Sequence, residues 1–471
     1  MQSKIKILVA FIVLTSLFFF SGCLKKKETV YKVNLEIWGV FDNSDAYGKI
    51  AQAYREINPF VGEIKYRKFE ADNYKRDLLD ALASGQGPDI FFFHNTWLPS
   101  FADKVEPAPD WLLGEQEFRQ NFVDVAANDF LDKSKVYAVP LSVDSLALYY
   151  NKDLFNAEGI TSPPATWKEL VEDVKRLTKI DQFGNIVQQG AALGTAYNIN
   201  RSTDVLGLIM MQKGAQMINE DRTQAAFGYP VTVGEKSIQA GEEAFDFYTQ
   251  FARSSSPQYG WNSRMHYSID SFFEGTAAMM INYSWHYPTI KSKNSKLNFA
   301  VAPVPQFQGT PPVNYANYWG LAVAKNKIIS SPSNPQLTGS EEVVPDNKVR
   351  IHEAWQFLKF LAIRNNGKIT LVNGITGNSK EFPVSIDPVV EYLKETGNPA
   401  ARRDIIEKQK SDPILGSFVY GNLIAKNWYQ TEPEAIETIL AEAIDSVNRG
   451  KMTVRDALEL AETRVSQLMR K

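Results

Sequence analysis

Nine tryptophans and 20 tyrosines, in a chain of 471 residues that is 12% aromatic, are the side chains best equipped to do chemistry here. Flat aromatic faces cover the C–H faces of sugar rings and lose little rotamer freedom in doing so. Groups that exchange hydrogen bonds with hydroxyls stand near them. Asp42, Asn95 and Thr96 each follow the end of a predicted strand, with Trp38 and Trp97 alongside. Such planar polar groups beside aromatic faces suit a concave site for a polyhydroxylated solute. A core is nevertheless the commoner home of any single tryptophan, and Trp38 and Trp319 stand open between cleft and interior. Catalytic patterns are scarcer. No G-x-S-x-G elbow occurs. The pairs Gly48-Lys49, Gly367-Lys368 and Gly450-Lys451 are not followed by Ser or Thr, so there is no P-loop. Gly85-Gln86-Gly87 precedes a strand and fails as a dinucleotide fingerprint. His94, His266, His286 and His352 are scattered without an H-E-x-x-H, so no metal and no cofactor is expected. With 54 acidic residues a carboxylate pair for glycoside hydrolysis stays open, because separation in space decides it.

The elements that must position these groups begin as alternating strand and helix. Val33, Leu35 and Ile37 alternate as a half-buried strand ending at Trp38-Gly39. A helix is predicted over Asp45–Ile57, stopped by Asn58-Pro59. Gly62–Phe69 reads as a strand and Asn73–Ala83 as a helix. The apolar run Pro88–His94 suits a strand covered on both faces of a parallel sheet. This alternation predicts an α/β fold. Its crevice should lie at the strand ends Trp38–Asp42, Phe69–Ala71 and His94–Trp97. Strands Val136–Leu141 and Leu146–Tyr150 flank the acidic turn at Asp144. Thr166 and Glu169 then form a T-x-x-E capping box before the helical repeat Trp167, Leu170, Val171, Val174 and Leu177. The stretch to about Met280 reads as mostly helical. Asp181–Asn185 reads as a hairpin turn; two of its residues hint at calcium, but the acidic ladder of an EF-hand is missing. Asn298–Pro305 and Tyr318–Ala324 are further strands. Ser330–Asn347 is a long surface loop, Ile351–Ile363 a helix, and Pro433–Arg449 and Thr453–Met469 a closing helical pair.

The amino-terminal residues carry a different message. Lys4 and Lys6 precede the apolar run Ile7–Phe20, which has signal-peptide length and is short for a membrane span. The single cysteine, Cys23, excludes an internal disulfide. Phe20-Ser21-Gly22-Cys23 resembles a bacterial lipobox, in which the cysteine is acylated and becomes the first mature residue. Two or more acyl chains anchor stably, since burial is worth about 0.8 kcal/mol per methylene. Residues 1–22 are then the signal peptide and 23–30 a tether carrying Lys25-Lys26-Lys27. No later segment approaches the ~20 apolar residues of a membrane crossing. A net charge of −3 gives no reason to expect nucleic acid.

The order P-L-x-x-D at Pro140–Asp144, Y-Y-N-K-D-L-F at Tyr149–Phe155 and P-P-x-T-W-x-E-L at Pro163–Leu170 closely resembles extracellular sugar-binding proteins of bacterial ABC importers, the maltose/maltodextrin-binding group. Ser84–Ile90, Phe273–Met279, Asn282–Trp285, Phe299–Pro305 and Trp319–Val323 resemble further segments of that family in the same order. The resemblance implies a two-lobed periplasmic-binding-protein fold with the ligand cleft between lobes. It divides the chain into 31–142 plus 318–374 and 143–317 plus 375–471. Crossings are expected near Leu141–Asp144, Tyr315–Trp319 and Asn373–Asn378. It places Asp144 where maltose binders carry an acid, and Trp285 where the family commonly shows a stacking tryptophan. Tyr283, Arg402 and Trp428 join as further ligand candidates. The expected protein is a monomeric, non-enzymatic lipoprotein, lipid-anchored at the cell membrane on the extracytoplasmic face, with inner and outer membrane both open. It would capture a sugar or oligosaccharide for separate ABC permease subunits. A carbohydrate-active enzyme, an adhesive lipoprotein, and a binder of peptides or polyamines remain open alternatives.

Overall fold

The computed structural model describes residues 31–233, 236–328 and 346–470. The signal peptide, Cys23, the tether and nearly all of the Ser330–Asn347 loop lie outside the described residues. Eight strands build the two main sheets: β1 (Val33–Gly39), β2 (Val61–Lys68), β3 (Ile90–His94), β4 (Ala138–Pro140), β5 (Ala147–Asn151), β6 (Met279–Asn282), β7 (Phe299–Pro303) and β8 (Trp319–Val323).

The first sheet has the order β2-β1-β3-β8-β4. Strand β1 runs parallel to β2 and β3, while β8 is antiparallel to β3 and β4. The sheet is therefore mixed around β3, where the apolar run Pro88–His94 suggested a strand within a parallel sheet. Ile90, Phe91, Phe92 and Phe93 are all buried, as a strand covered on both faces requires. The second sheet, β6-β5-β7, is antiparallel throughout. Its middle strand shows the two-residue period directly. Leu146 and Leu148 pack in one core, Ala147 and Tyr149 in the core on the opposite face.

Local signals account for several helices. Asp45–Ile57 forms as predicted and buries Ala46, Tyr47, Ile50, Ala51 and Tyr54. Trp167–Leu177 starts at a complete capping box: the Thr166 hydroxyl accepts from the Glu169 amide (3.2 Å), and the Glu169 carboxylate from the Thr166 amide (3.0 Å). Asp181 takes the amides of Phe183 (2.8 Å) and Asn185 (2.9 Å), which makes this stretch the turn of a small hairpin. Among the described residues no helix is long and apolar enough to cross a membrane.

The packing forms two bodies. One core draws on residues between 31 and 143, 316 and 324, 349 and 371, and 389 and 406, with Val419 and Ala425. Residues 389–406 thus pack with the first body, although the division above gave them to the second. The helix Pro388–Thr396 brings this about, because its Tyr392 donates to the buried Asp42 carboxylate (3.0 Å) beside Tyr47. The second body holds the antiparallel sheet between two further cores. Two crossings lie where they were expected. The Leu146 amide donates to the Tyr315 carbonyl (3.1 Å), and the Asn317 amide to that of Asp144 (3.0 Å). The third does not lie at Asn373–Asn378, which is instead a hairpin turn. There the Asn373 side chain accepts from the Ile375 and Thr376 amides, and Gly377 takes φ +72°. Ala425–Lys426 supplies the third strand of the bridge by pairing with Asn314–Tyr315.

Candidate functional site

From the first body, the residues after β3 face the crossings. The His94 ring joins Thr96 Oγ1 (2.7 Å) to Asn317 Oδ1 (3.1 Å), and burial pushes its pKa down to about 4. A neutral imidazole is thus fixed between a cleft hydroxyl and a crossing strand. Trp319, at the start of β8, is half-buried among His94 (4.9 Å), Trp97 (5.1 Å) and Phe41 (5.8 Å between ring centres). Phe41 itself is 58% exposed. Adjacent aromatic faces left open to water are candidates for a binding surface.

From the second body come Tyr283 and Trp285, just past β6. Trp285 is 38% exposed and lies flat on Tyr283, with ring centres 4.4 Å apart. The Tyr283 hydroxyl donates to Asp204 (2.7 Å). Asp144 links the two walls. Its Oδ2 accepts from the Ser284 amide (2.9 Å) and hydroxyl (2.5 Å), while its carbonyl takes the Asn317 amide. Oδ1 of Asp144 is buried and has no partner among the described residues. Burial raises this carboxyl to about 7, against the pull of the Ser284 bonds.

Two cavities lie between the bodies, of about 1100 Å³ and about 70 Å³. Both are lined by Asn95, Thr96, Met217, Asn427, Trp428 and Gln430, so they adjoin. The smaller also meets His94, Arg201, Asp204, Asn317 and Glu437. In the larger, Asp129 collects donors from Tyr318 (2.8 Å), Asn95 (3.1 Å) and Asn427 (3.4 Å); burial lifts its pKa to about 7. No group of three or more His, Cys, Asp or Glu among the described residues could hold a metal.

The expected site residues divide into three sets. Asn95 and Thr96 line both cavities, as does Trp428. Trp285 and Trp319 present partly open faces, with Tyr283 and Asp144 buried directly behind the former. Three others are placed elsewhere. Trp38 is buried against Phe69 (4.4 Å between ring centres) with its indole nitrogen unpartnered. Asp42 is held by Tyr47 (2.9 Å) and Tyr392 (3.0 Å) inside the first body. Arg402 is 1% exposed and grips Asp404 (2.6 Å) and, with a fork, Asp387. These three support the fold. Arg201, Asp204, Asn317 and Glu437 enter the cavity without having been singled out. They sit in turns and at helix starts where no periodicity marks them. Phe41 lay within a predicted strand end, the one signal that could have found it.

Residues 44–362 match the family model described as bacterial extracellular solute-binding protein. The chain belongs to that family. A maltotriose-binding protein of Pyrococcus abyssi is 25% identical over 55% of this chain and 50% of its own. The cyclic alpha-maltosyl-1,6-maltose binding protein of Arthrobacter globiformis superposes with a TM-score of 0.68 at 20% identity, covering 93% of this chain and 99% of that one. The sugar-binding protein MalE of Xanthomonas citri gives 0.69 at 16% identity, over 93% and 97%. This solute-binding protein therefore has the two-lobed fold with its cleft between lobes, and the two bodies described above are its lobes.

Proposed function

We propose that this solute-binding protein captures a sugar or oligosaccharide outside the cytoplasmic membrane and delivers it to ABC permease subunits. The observation that carries the reading is the pair of open aromatic faces, Trp319 with Phe41 on one lobe and Trp285 on the other. The bonds Asn317–Asp144–Ser284 join them. Ring faces would stack there, and Thr96, Asn95 and Asp204 would meet hydroxyls. The names of the relatives, maltotriose-, maltose- and sugar-binding, point the same way. Ligand touching both lobes favours the closed state by its greater affinity for that state, and a permease would read the closure. Acyl chains on Cys23 would keep the protein at the membrane surface.

The test is thermal unfolding of the full-length protein against sugars, oligosaccharides, amino acids, peptides and polyamines. Ligand at about a hundred times its dissociation constant adds about 2.7 kcal/mol, a readily visible shift. A shift with carbohydrates supports capture of a sugar. A shift confined to peptides or polyamines overturns it.

A further inference from the structure

Arg201 closes the turn before the helix Ser202–Gln212 with φ +57° and ψ +35°, a left-handed conformation for a residue that is not glycine. Holding a side chain there costs about 1–2 kcal/mol, and such strain gathers where a group must be aimed. The side chain lines the smaller interlobe cavity with Asp204, Glu437, His94 and Asn317. Among the described residues its guanidinium makes no hydrogen bond or salt bridge; it acts on Asp204 and Glu437 through its field alone. Its five N–H donors are therefore free for a ligand.

The surrounding charges limit what that ligand can be. Two acids, Asp204 and Glu437, share the one guanidinium; burial raises the pKa of each, and Arg201 pulls both back toward the charged form. His94, in the same cavity, and His286, bonded to Asn200 (3.1 Å), stay neutral, their pKa values lowered to about 4 chiefly by burial, with Arg201 adding to the lowering. Lys75 is already paired with Glu434 (2.9 Å). The cavity thus offers donors and acceptors in number but no surplus positive charge.

We propose that Arg201, Asp204 and Glu437 form a polar clamp that takes an uncharged polyol and turns away sugars carrying a phosphate or carboxylate. Each hydroxyl of a vicinal diol can accept from the guanidinium and donate to a carboxylate, whereas an anion meets two like charges in desolvated space. This rests on the sugar-capture reading and narrows it to neutral carbohydrates.

The test is calorimetric titration of the full-length protein with matched pairs. Maltose, maltotriose, cellobiose and mannobiose are each set against the aldonic acid made by oxidising the reducing end, with glycerol 3-phosphate alongside. The neutral member of a bound pair is expected to bind at least about tenfold more tightly than its acid. Asp204→Asn with Glu437→Gln should shrink that ratio to about threefold or less, since both keep their oxygen acceptors. Arg201→Gln should weaken the neutral sugar about tenfold in the folded fraction. An acid that binds as tightly as its neutral partner overturns the clamp and leaves sugar capture intact. A ratio unmoved by the double substitution also overturns it. Binding of glycerol 3-phosphate with no neutral sugar overturns both readings.

Discussion

At the scale of single residues, the same chemical type serves opposite ends depending on what surrounds it. Trp285 and Trp38 both pack on an aromatic neighbour, but only Trp285 keeps a face in water. Trp285→Ala should weaken sugar binding about tenfold, ~1.4 kcal/mol, at a cost of about 1 kcal/mol or less in stability. Arg402 predicts the reverse. Arg402→Met strands Asp387 and Asp404 and should cost about 3 kcal/mol in denaturant unfolding, with the affinity of the folded fraction unchanged. Asp144 and Asp129 make stability depend on pH. Each carboxyl is raised by burial from 3.8 to about 7, so the folded protein binds their protons more tightly than the unfolded chain. Their contribution is complete below 3.8 and is lost as the pH rises through 7. Unfolding free energy should therefore fall across that window, and Asp129→Asn should flatten the slope. A slope unchanged in the variant would contradict this account. These distinctions were not legible in the sequence, because exposure and burial come from distant segments.

At the scale of elements, local rules operate where neighbours in sequence are neighbours in space. The Trp167–Leu177 helix has its cap, its apolar face and its end written in consecutive residues. Thr166→Ala should cost about 1 kcal/mol, measured as a shift in denaturant midpoint at constant slope. The crossing bundle obeys a longer-range constraint. Gly421 lies where an added Cβ would strike the side chains of Asn314 and Ser145, and both belong to crossing strands. Asn422, next to it, donates to the Val143 carbonyl (2.6 Å) of the first crossing. Gly421→Ala should destabilise by about 1–3 kcal/mol through overpacking. It should also change affinity, because the shifted strands carry Asp144 and Asn317. Loss of stability with wild-type affinity would uncouple the bundle from the cleft. Nothing in the residues around Gly421 announces this role, and the third crossing was accordingly sought at Asn373–Asn378.

At the scale of the whole molecule, the lobes touch outside the crossings. Lys75, on the helix Ala71–Ala83 of the first lobe, meets Glu434 at the start of Pro433–Asn448 in the second (2.9 Å). Opening the cleft must break this pair. With Glu434 62% exposed, it contributes under ~1 kcal/mol and less in high salt. Glu434→Gln should therefore weaken ligand by no more than about fivefold, and by less still in 1 M salt. A larger loss would mean that Glu434 itself touches the ligand.

The sequence alone determined what depends on adjacent residues. The capping box, the Asp45–Ile57 helix and the Asp181 turn follow from hydrogen bonds and periodicities within one element. It also carried the family motifs and hence the lobed fold. Tertiary structure decided which side of each residue meets water. It placed Arg402 between two acids and Asp42 between two tyrosines. It routed residues 389–406 back into the first lobe and brought Ala425–Lys426 to the crossings. Above all it assembled Arg201, Asp204, His94, Asn317 and Glu437 around one cavity. They come from separate stretches of chain, and no local pattern encodes a distance between segments that only folding brings together.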